Sequence, residues 1–288
     1  MNRRTFLKRS LIGTIGLAGA GYGGYYYAHE IEPRWVNIVR NDIKSERIPK
    51  SFEGFRLLQL TDTHIGFNYG MKELDDLIQT IGELDPDLIL FTGDLIDDPS
   101  TISNQQYAKI IDKLSEIQAR HGKYWIYGNH DHGGYGTEKI AQVMSSAGFQ
   151  LLKNETTKIQ KNEDYINLSG LDDILLGNPE ITQLIDQSEQ DRFNILLSHE
   201  PDFADTTKNF PFDVQLSGHS HGGQIQLPII GYIITPILGE KYVEGSFTLG
   251  ERPLQLFVSK GLGTTRLPFR FLCRPEINLY TLRKDDSK

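Results

Sequence analysis

Gly218-His219-Ser220-His221 is the stretch from which the rest of the chain can be read. It follows the apolar run 214–216, and four other short polar clusters sit in the same way at the ends of apolar runs. Residues 57–60 lead into Asp62-Thr63-His64, and 88–91 into Gly93-Asp94-Leu95-Ile96-Asp97. Residues 124–127 lead into Gly128-Asn129-His130-Asp131, and 195–197 into Ser198-His199. A short apolar run reads as a buried strand, and the cluster beyond it as a loop at the strand's carboxyl end. Five such loops on one side of a sheet would bring Asp, His and Asn side chains together.

Carboxylate, imidazole and amide oxygen are donors that first-row divalent metals and zinc accept. The set exceeds what one ion needs, so the expectation is a two-metal site. Asp62 and His64, two apart on an extended segment, would face the same way and reach one ion. Asp94 follows a glycine, and its two carboxylate oxygens can bridge two cations. Asn129, His199 and His219 can complete the second ion and His221 the first, provided a local turn separates the last two. His130 is left without a ligand role and is expected to protonate a leaving alkoxide. Asp97 is expected to accept the other N–H of His130 and hold its orientation. His29, His121 and His132 are read as surface or supporting residues. The lone cysteine, Cys273, permits no intrachain disulfide and is expected as a buried apolar side chain.

Outward from these clusters the pattern alternates. Helices are expected over 71–84, 104–120, 137–147 and 179–187, with strands at 56–61, 87–92, 123–127 and 193–199. Further strands are expected at 35–39, 149–152, 157–160, 165–171, 212–216, 224–227, 241–249, 254–259 and 276–282. This is a mixed α/β chain with parallel strand pairs and helices outside them.

Residues 1–28 are expected to lie outside the fold and 29–53 to be a linker with a leading strand, ahead of a single domain over 54–288. Arg3-Arg4-Thr5-Phe6-Leu7-Lys8 precedes an uncharged stretch, 11–28, which holds six glycines. That layout is similar to a twin-arginine export signal, with Ala18-Gly19-Ala20 as a weak cleavage site. Retained, the segment would be a membrane anchor, because 18 residues barely reach across a bilayer. The partners and location expected are the twin-arginine export machinery and the membrane or cell wall outside the cytoplasm.

The series Asp62-x-His64, Gly93-Asp94-x-x-Asp97, Gly128-Asn129-His130-Asp131, His199 and Gly218-His219-x-His221 resembles the calcineurin-like metallophosphoesterase superfamily. From Gly222 to Glu276 the chain is similar to that family's bacterial exported branch, which includes phosphodiesterases and UDP-2,3-diacylglucosamine pyrophosphatases. The resemblance implies a four-layer α-β-β-α sandwich of two mixed sheets, with a dinuclear centre at the strand ends. It implies Asp62, His64, Asp94 and His221 on one metal, and Asp94, Asn129, His199 and His219 on the other. Protein Ser/Thr phosphatases of that superfamily carry Arg where this chain has Asp98, so small phosphodiesters or diphosphates are expected instead. The donors suit manganese, iron and zinc alike.

The formal charge is -8, and residues 1–28 hold four basic residues and no acid, so the remainder stands at about -12. That charge disfavours a nucleic-acid partner, which needs a basic footprint. The apolar segment 227–238 and the Arg-rich apolar segment 266–272 read either as a rim for a lipid-linked phosphate or a membrane surface, or as loops packed over the sheet edge. A second functional reading is a cell-wall or membrane-surface binding protein whose metal site turns over little.

Overall fold

The computed structural model describes residues 2–132, 136–187 and 189–285. In chain order the elements are α1 (Arg3–Tyr26), β1 (Asn37–Ser45), β2 (Arg56–Leu60), α2 (Met71–Leu84), β3 (Leu88–Phe91), α3 (Asn104–Glu116) and β4 (Lys123–Trp125). Then come α4 (Asn129–His132), α5 (Thr137–Ser146), β5 (Gln150–Leu151), β6 (Glu155–Lys161), β7 (Asp164–Gly170), α6 (Ile181–Gln187), β8 (Asn194–Leu197), α7 (Ala204–Thr207) and β9 (Val214–Ser217). The last five are β10 (Gln226–Leu227), β11 (Gly231–Tyr232), β12 (Gly245–Leu249), β13 (Leu254–Val258) and β14 (Glu276–Lys284).

Two six-stranded sheets result, ordered β1-β14-β2-β3-β4-β5 and β12-β13-β9-β8-β7-β6. Both are mixed. In the first, β14 runs antiparallel to β2 while β2, β3, β4 and β5 are parallel neighbours. In the second, β7, β8, β9 and β13 are parallel, and β6 and β12 close the edges antiparallel.

Side-chain alternation along these strands makes the layers. Leu58, Leu60, Ile89 and Phe91 pack under α2, α3 and α5. Their neighbours Leu57, Leu88 and Leu90 face the second sheet and meet Ile195, Leu197, Val214 and Leu216. On that sheet's far side Leu196, Leu256 and Val258 pack with Leu184 of α6 and Ala204 of α7. Helix, sheet, sheet and helix are thus separated by three apolar layers. Gln59 lies buried between the sheets, where its amide donates to Ser217 O at 3.0 Å and accepts from the Tyr280 hydroxyl at 2.7 Å.

Some boundaries differ from expectation. Helix α3 stops at Glu116, because Ile117 turns extended (ψ 126°) and is buried. The buried ammonium of Lys123 then caps two helix ends, donating to Ile117 O and Ala147 O. Strand pairing in the 241–249 stretch begins only at Gly245, since the Asp202 carboxylate takes the N–H groups of Glu240, Lys241 and Tyr242. The expected strand at 35–39 is a longer one, β1, paired parallel with β14 throughout.

Residues 1–28 contain α1. Among the described residues, no helix is long and apolar enough to cross a membrane. The segment after α1 is docked rather than loose. Ala28 O accepts from Arg270 N at 2.9 Å, and the fully buried Glu32 carboxylate accepts the N–H groups of Leu272 and Cys273.

Candidate metal centre

The carboxyl ends of β2, β3, β4, β8 and β9 meet at one place, where ligands bind in open α/β sheets. The loops after β2, β3 and β9 leave their strands by tight backbone turns. Asp62, His64, Asp94, His219 and His221 all have left-handed φ, between 44° and 69°. Such residues cost on the order of 1–3 kcal/mol each and persist where the surrounding structure over-determines them. The expectation of an extended Asp62–His64 segment is therefore corrected: both residues sit in turns, and the turns aim the side chains. Gly93, at φ 101°, is required by crowding as well as by its backbone. A Cβ there would lie 2.5 Å from His199 Nδ1 and 2.7 Å from Gly128 N.

The side chains fall into clusters. Asp62, His64 and His221 form one, and Asp94, His199 and His219 another. His64 Nε2 lies 3.1 Å from His221 Nε2 and 3.4 Å from Asp94 Oδ2. Asp94 Oδ2 is also 3.3 Å from His199 Nε2, so this oxygen stands between the two clusters. Asp62 Oδ1 is 3.4 Å from His221 Nε2 and 4.0 Å from His199 Nε2. His219 turns its Nε2 onto Ile237 O at 2.9 Å, which leaves Nδ1 for the cluster. His219 and His221, two apart, thus serve different clusters.

Two divalent cations fit this donor set on the structure's own terms. Asn129 Oδ1 is buried with no hydrogen-bond partner, an arrangement that is costly unless something else uses that oxygen. Burial pushes the Asp94 carboxyl up, but the His199, His130 and His64 imidazoles outweigh it and hold it well below the usual carboxylate range. Burial, and then His64 and Arg270 beside it, push His221 well below the usual imidazole range. Burial and His199 bring His219 down to about 4. Ionised carboxylate and neutral imidazole are the ligand forms that metals require, and Asp94, His219 and His221 lean that way. By contrast, burial raises the Asp62 carboxyl, and the Asp94 and Asp62 charges outweigh burial to hold His199 well above the usual imidazole range.

One expectation is corrected. The Asp97 carboxylate does not orient His130. Oδ1 lies 3.0 Å from His64 Nδ1 and accepts from the Thr265 hydroxyl at 3.0 Å, while His130 Nδ1 is 3.8 Å away. His130 Nδ1 instead meets the Asp97 backbone carbonyl at 2.7 Å. The loop after β3 turns so that Asp97's backbone faces β4 and its side chain faces β2. Burial lowers the His130 pKa, but the Asp94 charge and that carbonyl more than offset it and hold it above the ordinary imidazole value.

Three supports escaped the sequence reading. Asp131, fully buried, accepts from the N–H groups of Asp94, Leu95 and Gly128 and so locks two ligand loops together. Burial and then Asp94 raise its carboxyl to about 6. Its place within the Gly128–Asp131 cluster was the available signal. Thr61 donates to Asp62 Oδ2 at 2.7 Å. Arg270 is buried, with its guanidinium on Lys260 O, Gly263 O and Cys273 O, beneath Gly261 and Gly263 that pack against the Asp62 loop. That overturns Arg270 as part of an exposed rim. Cys273 is buried and unpaired, as expected.

A family model described as calcineurin-like phosphoesterase matches residues 55–223, which include every one of these donors. The chain belongs to that family. It is 44% identical over 289 residues to the uncharacterized metallophosphoesterase YkuE of Bacillus subtilis (strain 168), covering 98% of each chain. To phosphodiesterase YaeI of Escherichia coli (strain K12) it is 29% identical over 288 residues, covering 98% of this chain and 99% of that one. To UDP-2,3-diacylglucosamine pyrophosphatase LpxG of Chlamydia muridarum (strain MoPn / Nigg) it is 24% identical over 324 residues, covering 93% and 95%. The protein is a metal-dependent phosphoester hydrolase, and its residue clusters fit a dinuclear divalent-metal site.

Proposed function

We propose that this calcineurin-like phosphoesterase hydrolyses phosphodiesters or diphosphates at the cell envelope, with a lipid-linked phosphate such as a UDP-diacylglucosamine-like glycolipid as its substrate. The single observation that carries the hydrolytic part is that Asp94 Oδ2 stands 3.3–3.4 Å from an imidazole of each cluster, with His130 adjoining. Asp62, His64, Asp94 and His221 would hold one cation, and Asp94, Asn129, His199 and His219 the other. Manganese, zinc and iron are the candidates. Two such cations lower the pKa of a water and stabilise charge on the phosphoryl oxygens.

The chain's own residues supply the rest. Asp94 fixes the spacing of the clusters, and Asp97 holds the His64 ring. Water adds to phosphorus, the bond from phosphorus to the leaving oxygen breaks, and His130 gives that oxygen its proton. The Asp97 carbonyl keeps His130 Nδ1 as the bonded nitrogen, so Nε2 is the donor.

Exposed Ile230, Ile233, Ile234 and Ile237 support a lipid-linked substrate, as does the likeness to LpxG. The Arg3-Arg4 start supports twin-arginine export. A surface-binding protein with little turnover would have no use for a positioned His130.

The test is hydrolysis of bis-p-nitrophenyl phosphate against p-nitrophenyl phosphate by full-length protein, stripped of metal and then given Mn²⁺ or Zn²⁺. Metal-restored turnover, faster on the diester, is the expected result. His130→Ala should lower the rate by roughly 10²–10⁴-fold. No turnover with either metal would contradict the hydrolytic reading.

A further inference from the structure

We propose that Arg266 forms an anion subsite at the mouth of the metal cleft and binds the second phosphoryl group of a diphosphate substrate. This rests on the phosphoesterase reading above and adds the residue that selects diphosphates. The cleft over the metal ligands is lined by His130, His219, His221, Gln224, Thr265 and Arg266, among others. Of its described lining residues, Arg266 is the only one with a permanent positive charge. Its side chain is exposed and makes no ion pair or hydrogen bond among the described residues.

A solvated surface arginine needs no special backbone, yet Arg266 sits at φ 62°, and Gln224 opposite it at φ 49°. Left-handed φ at such residues is costly and is kept where the surroundings enforce it. Here they do. The Gln224 amide brackets the preceding residue, accepting from Thr265 N at 2.9 Å and donating to Thr265 O at 2.9 Å. The Thr265 hydroxyl donates to Asp97 Oδ1, which holds His64. The turn that aims Arg266 is therefore tied, through two side chains, to the metal cluster. An arginine needed only for solubility would not be positioned from the metal ligands.

A planar guanidinium matches phosphate oxygens two at a time. A monoester, or a diester with aryl groups, places its one phosphoryl group at the metals and leaves Arg266 without a partner. A diphosphate brings a second charged group one bridging oxygen away. Ile234 and Pro236 also line the cleft and offer apolar surface to whatever the second phosphoryl carries.

Full-length Mn²⁺-loaded protein tests this as wild type, Arg266→Ala and Arg266→Lys. Calorimetry compares binding of uridine 5′-(α,β-methylene)diphosphate with uridine 5′-monophosphate, and kinetics compare UDP-glucose with bis-p-nitrophenyl phosphate. The expected wild-type preference for the methylene diphosphate is tenfold or more. Arg266→Ala should erase it, and Arg266→Lys should restore part. The kcat/KM ratio of UDP-glucose to bis-p-nitrophenyl phosphate should fall at least tenfold in Arg266→Ala, mostly through KM. An unchanged preference, or equal losses on both substrates, would overturn the subsite. Wild-type turnover of bis-p-nitrophenyl phosphate without any diphosphate preference would overturn the subsite alone. Failure on bis-p-nitrophenyl phosphate would overturn the phosphoesterase reading beneath it.

Discussion

Asp97 reaches two histidines with different parts of itself. Its carboxylate holds His64 at Nδ1, and its backbone carbonyl holds His130 at Nδ1. Removing the side chain should therefore affect the metal more than the proton donor. For Asp97→Ala, a chelator-competition titration should show Mn²⁺ affinity lowered by roughly 10–100-fold, with kcat at saturating metal much less changed. Unchanged affinity with a lost kcat would mean that Asp97 acts on His130 after all. At this scale the donors themselves were legible, because each follows an apolar run. Which atom of Asp97 meets which ring was not, because it depends on a turn that no periodicity encodes. Asp131 was in view but without a role, since its three N–H partners come from two loops that are distant in sequence.

Helix α4 belongs to the first sheet, and its last residue, His132, crosses to the second. His132 Nε2 lies 2.6 Å from Asp172 Oδ1, in the loop after β7, and Asn178 N donates to Asp172 Oδ2 at 2.8 Å. Burial pushes the Asp172 carboxyl up, but His132, the Asn178 N–H and Lys153 outweigh it and bring it down to about 2. The ordinary value is about 3.9, so a depressed folded pKa gives stability that is full above about pH 4 and lost as pH falls toward 2. Asp172→Asn should melt roughly 2–4 °C below wild type at neutral pH. The gap should narrow in melts taken between about pH 4 and pH 2, and a constant gap would remove the Asp172 carboxylate contacts from the account. The starts of α2, α3 and α5 and most strand interiors were readable from apolar spacing, whereas α1, α4 and α7 were not anticipated. The ends were less so, as with α3, where burial of Ile117 and the Lys123 cap decided the stop.

Across the whole molecule, the segment before β1 is tied to the loops beneath the metal centre. Glu32 holds the 272–273 backbone, Arg270 of the same loop holds the carbonyls of 260 and 263, and Gly261 and Gly263 press on Asp62 and Thr63. A linker reading of 29–53 missed this because Glu32 opens a 3-10 turn, Glu32–Arg34, too short for any apolar spacing to mark it as buried. Glu32→Ala leaves the buried Cys273 N–H without an acceptor, at about 1–3 kcal/mol, and frees the Leu272 N–H, which water can reach, so urea unfolding of the full chain should show a loss of that order. No change would mean that the segment is not anchored as described. The four-layer order was implied by the family resemblance, while strand and helix alternation alone pointed to parallel strand pairs with helices outside them. The meeting of two sheets at one site depends on Asp94 standing between the clusters, and that is best tested by counting metal. Full-length protein reconstituted with Mn²⁺ or Zn²⁺ and freed of excess should hold two ions per chain by elemental analysis, and Asp94→Asn at most one, with activity lost. One ion in wild type, or two retained in Asp94→Asn, would contradict the shared-carboxylate centre.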